Sequence, residues 1–259
     1  MESELLTELQ NEFNKESLIS GTKYLILSRG RARTITSHKL FSFAEVIVPV
    51  SEKQDYEYKL KKEVLTYPDH IHGLSVLRNY VLRTFNEEII IMINDDIKKI
   101  LNIEHNIYTI IESPDDIKRL LDSTAQITKD LDKSLFGYKL SEDIRSYTPT
   151  SPFAINSWVG SVIGVVGRKF RFDEHNILKT DIDYSLQCLL HDRIVIKDNR
   201  YAFVSEKISN TGGNSSYRTR DKVESEKMYL KRKWGKHIKM MTQIYGERTA
   251  VNVTRKSTL

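Results

Sequence analysis

The chain has 259 residues, of which 39% are apolar and 29% charged, a composition that excludes wholesale disorder and suits one large domain or two small ones. Its single cysteine excludes an intrachain disulfide and a structural zinc site built on cysteines. The net charge of +5 is uneven, because residues 205–259 hold 13 basic and 5 acidic residues whereas residues 1–204 hold 27 and 30. We therefore expect a body, residues 1–204, and a basic segment, residues 205–259, that packs on or extends it and binds a polyanion.

The chain begins MESELLTELQNEF, without the basic start and apolar core of a secretory signal. No apolar run approaches the roughly 20 residues that span a bilayer. These features predict a cytoplasmic protein with no membrane partner.

The first half alternates strand and helix patterns. Short runs of Ile, Leu and Val bounded by Gly, Pro, Ser, Asn or Asp predict buried strands. Apolar residues at helical spacing predict two helices, the second opened by the N-cap Ser113. The predicted strands are Tyr24–Leu27, Val46–Val50, Ile89–Ile93 and Ile107–Ile111, and the predicted helices are Gly73–Phe85 and Ser113–Leu131. This alternation indicates an α/β fold with a mostly parallel sheet and flanking helices.

The second half is less regular. We predict a strand at Val162–Val166, a helix at Thr180–Leu190 and a basic helix at Glu224–Trp234. Two short strands around Asp198-Asn199 suit a hairpin. The Gly-rich stretch 210–216 predicts a loop.

The strongest chemical signal is Asn94-Asp95-Asp96, directly after the strand Ile89–Ile93. In open α/β sheets, ligands bind beyond the carboxyl ends of the strands. Adjacent acids there need a cation nearby, and carboxylates suit Mg²⁺ or Mn²⁺ that bridges to a diphosphate. The alternative is that the acids cap a helix beginning near Ile97.

Basic residues at two places suit the same diphosphate. Ser28, Arg29, Gly30 and Arg31 follow the first strand, where guanidinium groups match phosphate oxygens; the alternative is a surface turn with two solvated arginines. Arg78 lies near the start of a helix, where a cation opposes the helix dipole and needs an anion. A diphosphate would supply that anion, and so would a carboxylate such as Asp95.

A second acidic cluster is Asp181-Ile182-Asp183. The pattern from Thr180 to Asp183 is that of a capping box, and Asp181 in the first turn complements the helix dipole. A carboxylate here could equally act as a general base.

The helix Gly73–Asn79 followed by Glu87–Asp96 resembles the G-x-x-x-A-R-N helix, strand and acidic motif of nucleotide-sugar glycosyltransferases of the GT-A type, which have a Rossmann-related fold. Leu77 replaces the usual small residue, and Asn94 stands where an Asp is common. The stretches Leu27–Ala32 and Val46–Glu52, with Tyr56, resemble the start of base-J-type and phage DNA-base glycosyltransferases.

The resemblance implies a GT-A-like fold and a role for each cluster. It implies Mn²⁺ or Mg²⁺ held by Asp96 and Asp95, with His237 as a late metal ligand. It places the donor, a nucleoside diphosphate sugar such as a UDP-hexose, against Ser28, Arg29, Arg31, Arg78, Asn94 and Asp95. It makes Asp181 or Asp183 the base.

The implied reaction transfers a hexose to a hydroxymethyl group on a pyrimidine base in DNA, as in bacteriophage DNA modification. The basic residues expected to bind the DNA backbone are Arg218, Arg220, Lys231, Arg232 and Lys233. Such a base would have to be flipped out of a duplex. Two alternatives remain open: a glycosyltransferase acting on an acceptor other than nucleic acid, and a DNA-binding protein without enzymatic activity.

Overall fold

The computed structural model describes residues 19–104, 107–143, 147–205, 219–243 and 246–253. A ten-stranded mixed sheet crosses the fold in the order β3-β2-β1-β4-β9-β7-β10-β5-β6, with β8 paired to β10. The strands of this sheet are β1 (Ile19–Leu27), β2 (Glu45–Pro49), β3 (Leu65–Tyr67), β4 (Glu87–Asn94), β5 (Ile97–Glu104), β6 (Ile107–Ile111), β7 (Leu135–Lys139), β8 (Phe153–Ala154), β9 (Val162–Val166) and β10 (Ile196–Ser205). The pair β11 (Ile238–Gln243) and β12 (Gly246–Val251) forms a separate ribbon.

Seven of the ten strands run in one direction, and β5, β8 and β9 run against them. The predicted mostly parallel sheet is therefore confirmed, and its parallel block is β3-β2-β1-β4. The antiparallel strand β9 separates this block from β7.

Helices cover both faces of the sheet, as expected for an α/β fold. They are α1 (Lys53–Leu60), α2 (Leu74–Thr84), α3 (Pro114–Asp130), α4 (Thr180–His191) and α5 (Arg220–Trp234). Alternate residues of β4 enter two cores: Ile91 and Ile93 pack with α1 and α3, and Ile90 and Met92 pack with α2 and α4. This double burial explains why β4 is a continuous apolar run. None of the described helices is both long and apolar enough to cross a bilayer.

Most predicted elements are confirmed within a few residues. Ser113 caps α3, where its side chain accepts a hydrogen bond from the backbone N–H of Asp116. The predicted hairpin at Asp198-Asn199 is wrong, because β10 runs through both residues. The fully buried Asp198 carboxylate accepts hydrogen bonds from the backbone and guanidinium of Arg200, which satisfies a polar group inside the strand. The predicted loop 210–216 lies outside the described residues.

Candidate active site

Two acidic clusters lie at one edge of the sheet. Strands β1 and β4 are parallel neighbours whose ends are in register, with Leu27 beside Asn94. The segment 28–31 after β1 and the acids after β4 therefore meet, as expected where parallel strands end together. The antiparallel strand β9 starts at this same edge, because Val162 pairs with Ile93.

A chain of hydrogen bonds joins α1 to the first acid. The buried Ser28 hydroxyl donates to Asp95 Oδ2 at 2.5 Å and lies 2.6 Å from the Tyr56 hydroxyl. The Tyr56 oxygen accepts from the backbone N–H of Arg31 at 2.9 Å. Because the Ser28 hydroxyl donates its proton to Asp95, the Tyr56 hydroxyl donates to Ser28. Burial raises the pKa of the Tyr56 phenol and keeps it protonated. Tyr56 thus orients both the loop and the carboxylate.

Arg31 is the cation nearest the acids. Its Nη1 lies 2.7 Å from Asp95 Oδ1 and 3.6 Å from Asp96 Oδ2. Gly30, just before it, has φ +67°, a conformation that favours glycine. Its N–H donates to Glu52 at 2.6 Å. The loop therefore turns sharply and places the Arg31 guanidinium beside both carboxylates.

Arg29 has other partners. Its guanidinium donates to the carbonyls of Ile71 at 2.6 Å and Asp69 at 3.2 Å. These bonds fasten the segment 69–71 to the loop after β1. Arg29 thereby shapes the edge of the site, and its contact with a diphosphate stays a prediction.

The turn that holds the acids is fixed by Thr36 and Ser37. Their backbone N–H groups donate to the Asp95 carbonyl at 2.9 and 3.2 Å. The buried Ser37 hydroxyl donates to the Asn94 carbonyl at 2.6 Å and accepts from Ile97 N–H at 2.8 Å. No helix follows: β5 begins at Ile97, so the alternative in which the acids cap a helix is wrong.

Asp96 has the chemistry of a cation ligand. Burial raises the pKa of this carboxyl, and the charge of Asp95 raises it further, while Ser205 and Arg31 act in the opposite direction. Its Oδ1 is buried and has no hydrogen-bond partner within the described residues. A buried carboxylate oxygen of this kind fits a divalent cation. Asn94 ends β4 and presents its carbonyl to Ser37.

His237 is not grouped with these acids. Over the described part of the chain, no three His, Cys, Asp or Glu side chains lie close enough together to hold a metal ion. The His237 ring lies 3.3 Å from the carbonyl of Asn252. Asp95 and Asp96 therefore stand as a pair of carboxylates. A metal ion bound to this pair would take its remaining ligands from water or substrate.

Arg78 and Asp181 form one unit. Arg78 is 1% exposed, its Nη1 lies 2.9 Å from Asp181 Oδ1, and its guanidinium stacks on the Phe172 ring. The carboxylate beside this buried cation is that of Asp181 and not the Asp95 considered from the sequence, and the contact of Arg78 with a diphosphate stays a prediction. The neighbouring Asn79 holds the backbone of Phe172 on both sides, through Nδ2 and Oδ1.

Asp181 and Asp183 differ in exposure. The Asp181 side chain is 29% exposed, whereas that of Asp183 is fully buried. Asp183 accepts hydrogen bonds from Trp234 Nε1 at 2.8 Å and Gln187 at 3.0 Å and pairs with Lys233 at 2.8 Å. The predicted capping box is wrong, because the N-cap of α4 is Lys179 and no side chain caps it.

The loop before β9 connects the two acidic clusters. Ser161 accepts a hydrogen bond from Asn94 N–H at 2.7 Å, and its hydroxyl lies 3.5 Å from that of Ser205. A Cβ at Gly160 would lie 2.9 Å from Asp181 Oδ2 and 3.1 Å from the Trp158 ring. Ser161 has φ +58°, an unusual strain for a residue other than glycine. The acids after β4 and Asp181 therefore border one site.

Helix α5 supports α4 from outside. The buried Glu226 carboxylate accepts from the backbone N–H groups of residues 177–179, at 2.7 to 3.2 Å, and thereby fixes the segment that leads into α4. Sequence reasoning missed Glu226, and it also missed Ser37, because both bond to backbone far away in sequence. Tyr56 was noted only within the resemblance.

The predicted DNA-binding cluster on α5 is partly used inside the protein. Lys233 pairs with Asp173 and Asp183, and Lys231 donates to the carbonyl of Ile238 at 3.0 Å. Arg220 and Arg232 are exposed. Arg218 lies outside the described residues.

No protein-family model and no curated protein matches the sequence. Among solved structures, the chain is similar to S. aureus TarS 1–349 in complex with UDP-GlcNAc, with 13% identity, a TM-score of 0.49, and coverage of 80% of this chain and 65% of TarS. It is also similar to glucosyl-3-phosphoglycerate synthase from Mycobacterium tuberculosis in complex with Mn²⁺, UDP-glucose and phosphoglyceric acid, with 12% identity, a TM-score of 0.42, and coverage of 95% and 91%. The chain thus spans about two thirds of the length of that TarS fragment. Both TM-scores are below 0.5, so we infer the chemistry of this site from its own geometry and not from these neighbours.

Proposed function

We propose that this chain is a metal-dependent glycosyltransferase that moves a hexose from a nucleoside diphosphate sugar to a hydroxyl group. The observation that carries the proposal is the pair of acidic clusters at one sheet edge, joined by the loop 158–161. Asp95 and Asp96 are placed to bind a cation that neutralises the charged leaving group, and Asp181 is placed to accept the proton of the attacking hydroxyl. Sugar transfer needs both functions a short distance apart.

Asp96 and Asp95 would hold Mn²⁺ or Mg²⁺. When bound, the ion would neutralise charge on the diphosphate of the donor, which we propose to be a UDP-hexose. Arg31 supplies further positive charge beside the same carboxylates. Ser28 and Tyr56 keep Asp95 oriented, and Asn94 forms the start of the turn that carries both acids.

Asp181 is the proposed general base. It accepts the proton of the acceptor hydroxyl while that oxygen forms its bond to the anomeric carbon and the bond from that carbon to the diphosphate oxygen breaks. Arg78 holds Oδ1 of this carboxylate, and Oδ2 lies close against Gly160, where no side chain intervenes. Asp183 has three partners inside the protein and therefore belongs to the support of α4.

The proposed acceptor is a hydroxymethyl group on a pyrimidine base in DNA, in the cytoplasm of a phage-infected host cell. The support for this part is the sequence resemblance and the basic character of residues 205–259. A hydroxyl on a glycan, lipid or small molecule is the alternative acceptor for the same site.

The test incubates the protein with Mn²⁺, a panel of sugar nucleotides, and hydroxymethylated or plain DNA. Mass spectrometry of the digested nucleosides should show a hexose adduct only on hydroxymethylated bases and only with intact Asp96 and Asp181. Release of UDP that depends on another acceptor would reject the DNA acceptor and retain the transferase. No metal-dependent binding or turnover of any sugar nucleotide would reject the enzyme.

A further inference from the structure

A group of basic side chains lies outside the site, at the end of α1 and in the short 3₁₀ turn Ser37–Lys39. We call Lys39, Lys59, Lys61 and Lys62 the basic surface. The pKa of His38 is lowered first by burial and then by the charges of Lys39, Lys62 and Lys59. Lys39, Lys59 and Lys62 therefore lie near the His38 ring, although Lys39 precedes Lys59 by 20 residues in sequence.

The four lysines of the basic surface differ in their partners, because Lys62 donates to the Ala44 carbonyl at 3.1 Å and lies near Glu45. Lys39, Lys59 and Lys61 are exposed and form no ion pair with the described part of the chain. Among the nearby acids, Glu45 pairs with Lys23 and Glu57 pairs with Lys53, while Asp55 and Glu63 add two negative charges on and just after α1. The exposed lysines differ from those of α5, where Lys231 and Lys233 are bonded within the protein.

An exposed aromatic ring accompanies these lysines. Tyr58 is 78% exposed, and the Lys61 Nζ lies 4.0 Å from its ring centroid. Lys61 follows α1 with φ +55°, a left-handed conformation at the helix end that places its side chain back over the ring. An exposed ring beside unpaired lysines is the combination on which unpaired bases stack.

We propose that the basic surface binds the backbone of a nucleic acid strand and that Tyr58 stacks on one of its unpaired bases. The proposal rests on the DNA acceptor of the proposed function and relocates the DNA contact from α5 to α1. Tyr56, on the same helix, contacts Ser28 in the site. A helix of eight residues is about 12 Å long, the length of three or four nucleotide steps at about 3.4 Å each. A bound strand could therefore reach from the basic surface to the acidic clusters.

The test measures fluorescence anisotropy of a labelled 20-nucleotide single strand and of its duplex, without metal or donor, over a series of salt concentrations. The variant combines Lys39→Glu, Lys59→Glu and Lys61→Glu. The matched control combines Arg220→Glu, Arg232→Glu and Lys236→Glu on and after α5, which changes the net charge by the same amount. Circular dichroism melting confirms that both variants are folded.

We expect the first variant to weaken single-strand binding at least tenfold and to lower the slope of log affinity against log salt by about 2, at about 0.7 for each lost phosphate contact. The control should keep most of the wild-type affinity. Tyr58→Ala should weaken binding of the single strand about tenfold and binding of the duplex much less.

Equal loss in both triple variants, or loss in the control alone, would overturn the proposal. So would wild-type protein that binds neither DNA at low salt. Because donor and metal are absent, these failures would leave the sugar-nucleotide chemistry standing, which is measured separately as Mn²⁺-dependent release of UDP from the donor.

Discussion

Asp95 and Asp96 are adjacent in sequence but differ in their surroundings. Both oxygens of Asp95 are engaged, Oδ2 by Ser28 and Oδ1 by Arg31, whereas Oδ1 of Asp96 is buried without a partner among the described residues. Asp95 is thus already oriented by the protein. Asp96 has the free oxygen that a metal would use.

The raised pKa of Asp96 predicts that one substitution increases stability without metal and decreases metal binding and turnover. A carboxyl whose pKa is raised on folding destabilises the folded state as pH rises through that pKa, so Asp96→Asn should raise the melting temperature of metal-free protein at neutral pH. The same change should abolish the further rise caused by Mn²⁺ and lower turnover on the order of 100-fold. Calorimetry in EDTA and in Mn²⁺ measures both effects, with the exposed Asp55→Asn as control. Unchanged Mn²⁺ stabilisation in Asp96→Asn would reject the metal assignment.

Asp181 and Asp183 should separate activity from stability. Asp181→Asn keeps an oxygen for Arg78, so we expect a folded protein whose turnover falls by about 100-fold or more while donor affinity is retained. Asp183→Asn removes one of the two carboxylates paired with Lys233 and disturbs the buried hydrogen bonds from Trp234 and Gln187. It should lower the free energy of unfolding by about 1 to 3 kcal/mol, with turnover retained at low temperature. Urea denaturation and steady-state kinetics compare the two variants. The opposite pattern would exchange their roles.

At the scale of elements, Gly164 in β9 marks a close approach and not a break in the strand. A Cβ added there would lie 2.0 to 2.5 Å from the Phe136 ring on the neighbouring β7. We expect Gly164→Ala to lower the free energy of unfolding by about 1 to 3 kcal/mol through overpacking. The double variant with Phe136→Leu should recover part of that loss, and denaturant melts would show it. Additive losses would mean that the ring is not the cause.

Buried strands and helices with one apolar face could be predicted from the sequence because each pattern is local. The hairpin at Asp198 could not, since a buried Asp satisfied by Arg200 looks the same in sequence as a turn. In the site, Asp95, Asp96 and Arg31 were found because they follow strand ends. The ion pair of Arg78 with Asp181 joins residues 103 positions apart and depends on packing between α2 and α4, which no local pattern shows.

For the whole molecule, Asp173 links α5 to the body and makes that link sensitive to acid. Burial alone would raise the pKa of Asp173, but hydrogen bonds from Lys233, Tyr229 and the backbone of His175 outweigh it and lower the pKa to about 2. An acid with a lowered pKa stabilises the folded state above its unfolded pKa of about 4, and this stabilisation is lost as pH falls towards 2. We expect Asp173→Asn to make the free energy of unfolding less dependent on pH between about 4 and 2. An unchanged pH dependence by urea denaturation would show that this carboxylate does not govern acid stability.

Strand β10 lies between β7 and β5 in the finished sheet, although it comes last of its ten strands along the chain. During synthesis on the ribosome, the β5–β6 ribbon has therefore left the exit tunnel long before the strand that attaches it to the rest. Until β10 is synthesised, the edges of β7 and β5 that it will join present unsatisfied backbone groups and apolar side chains to solvent. This state is open to chaperone binding or to mispairing with another nascent chain. Because β10 closes the sheet late, we expect the rate of elongation between residues 111 and 196 to influence folding yield.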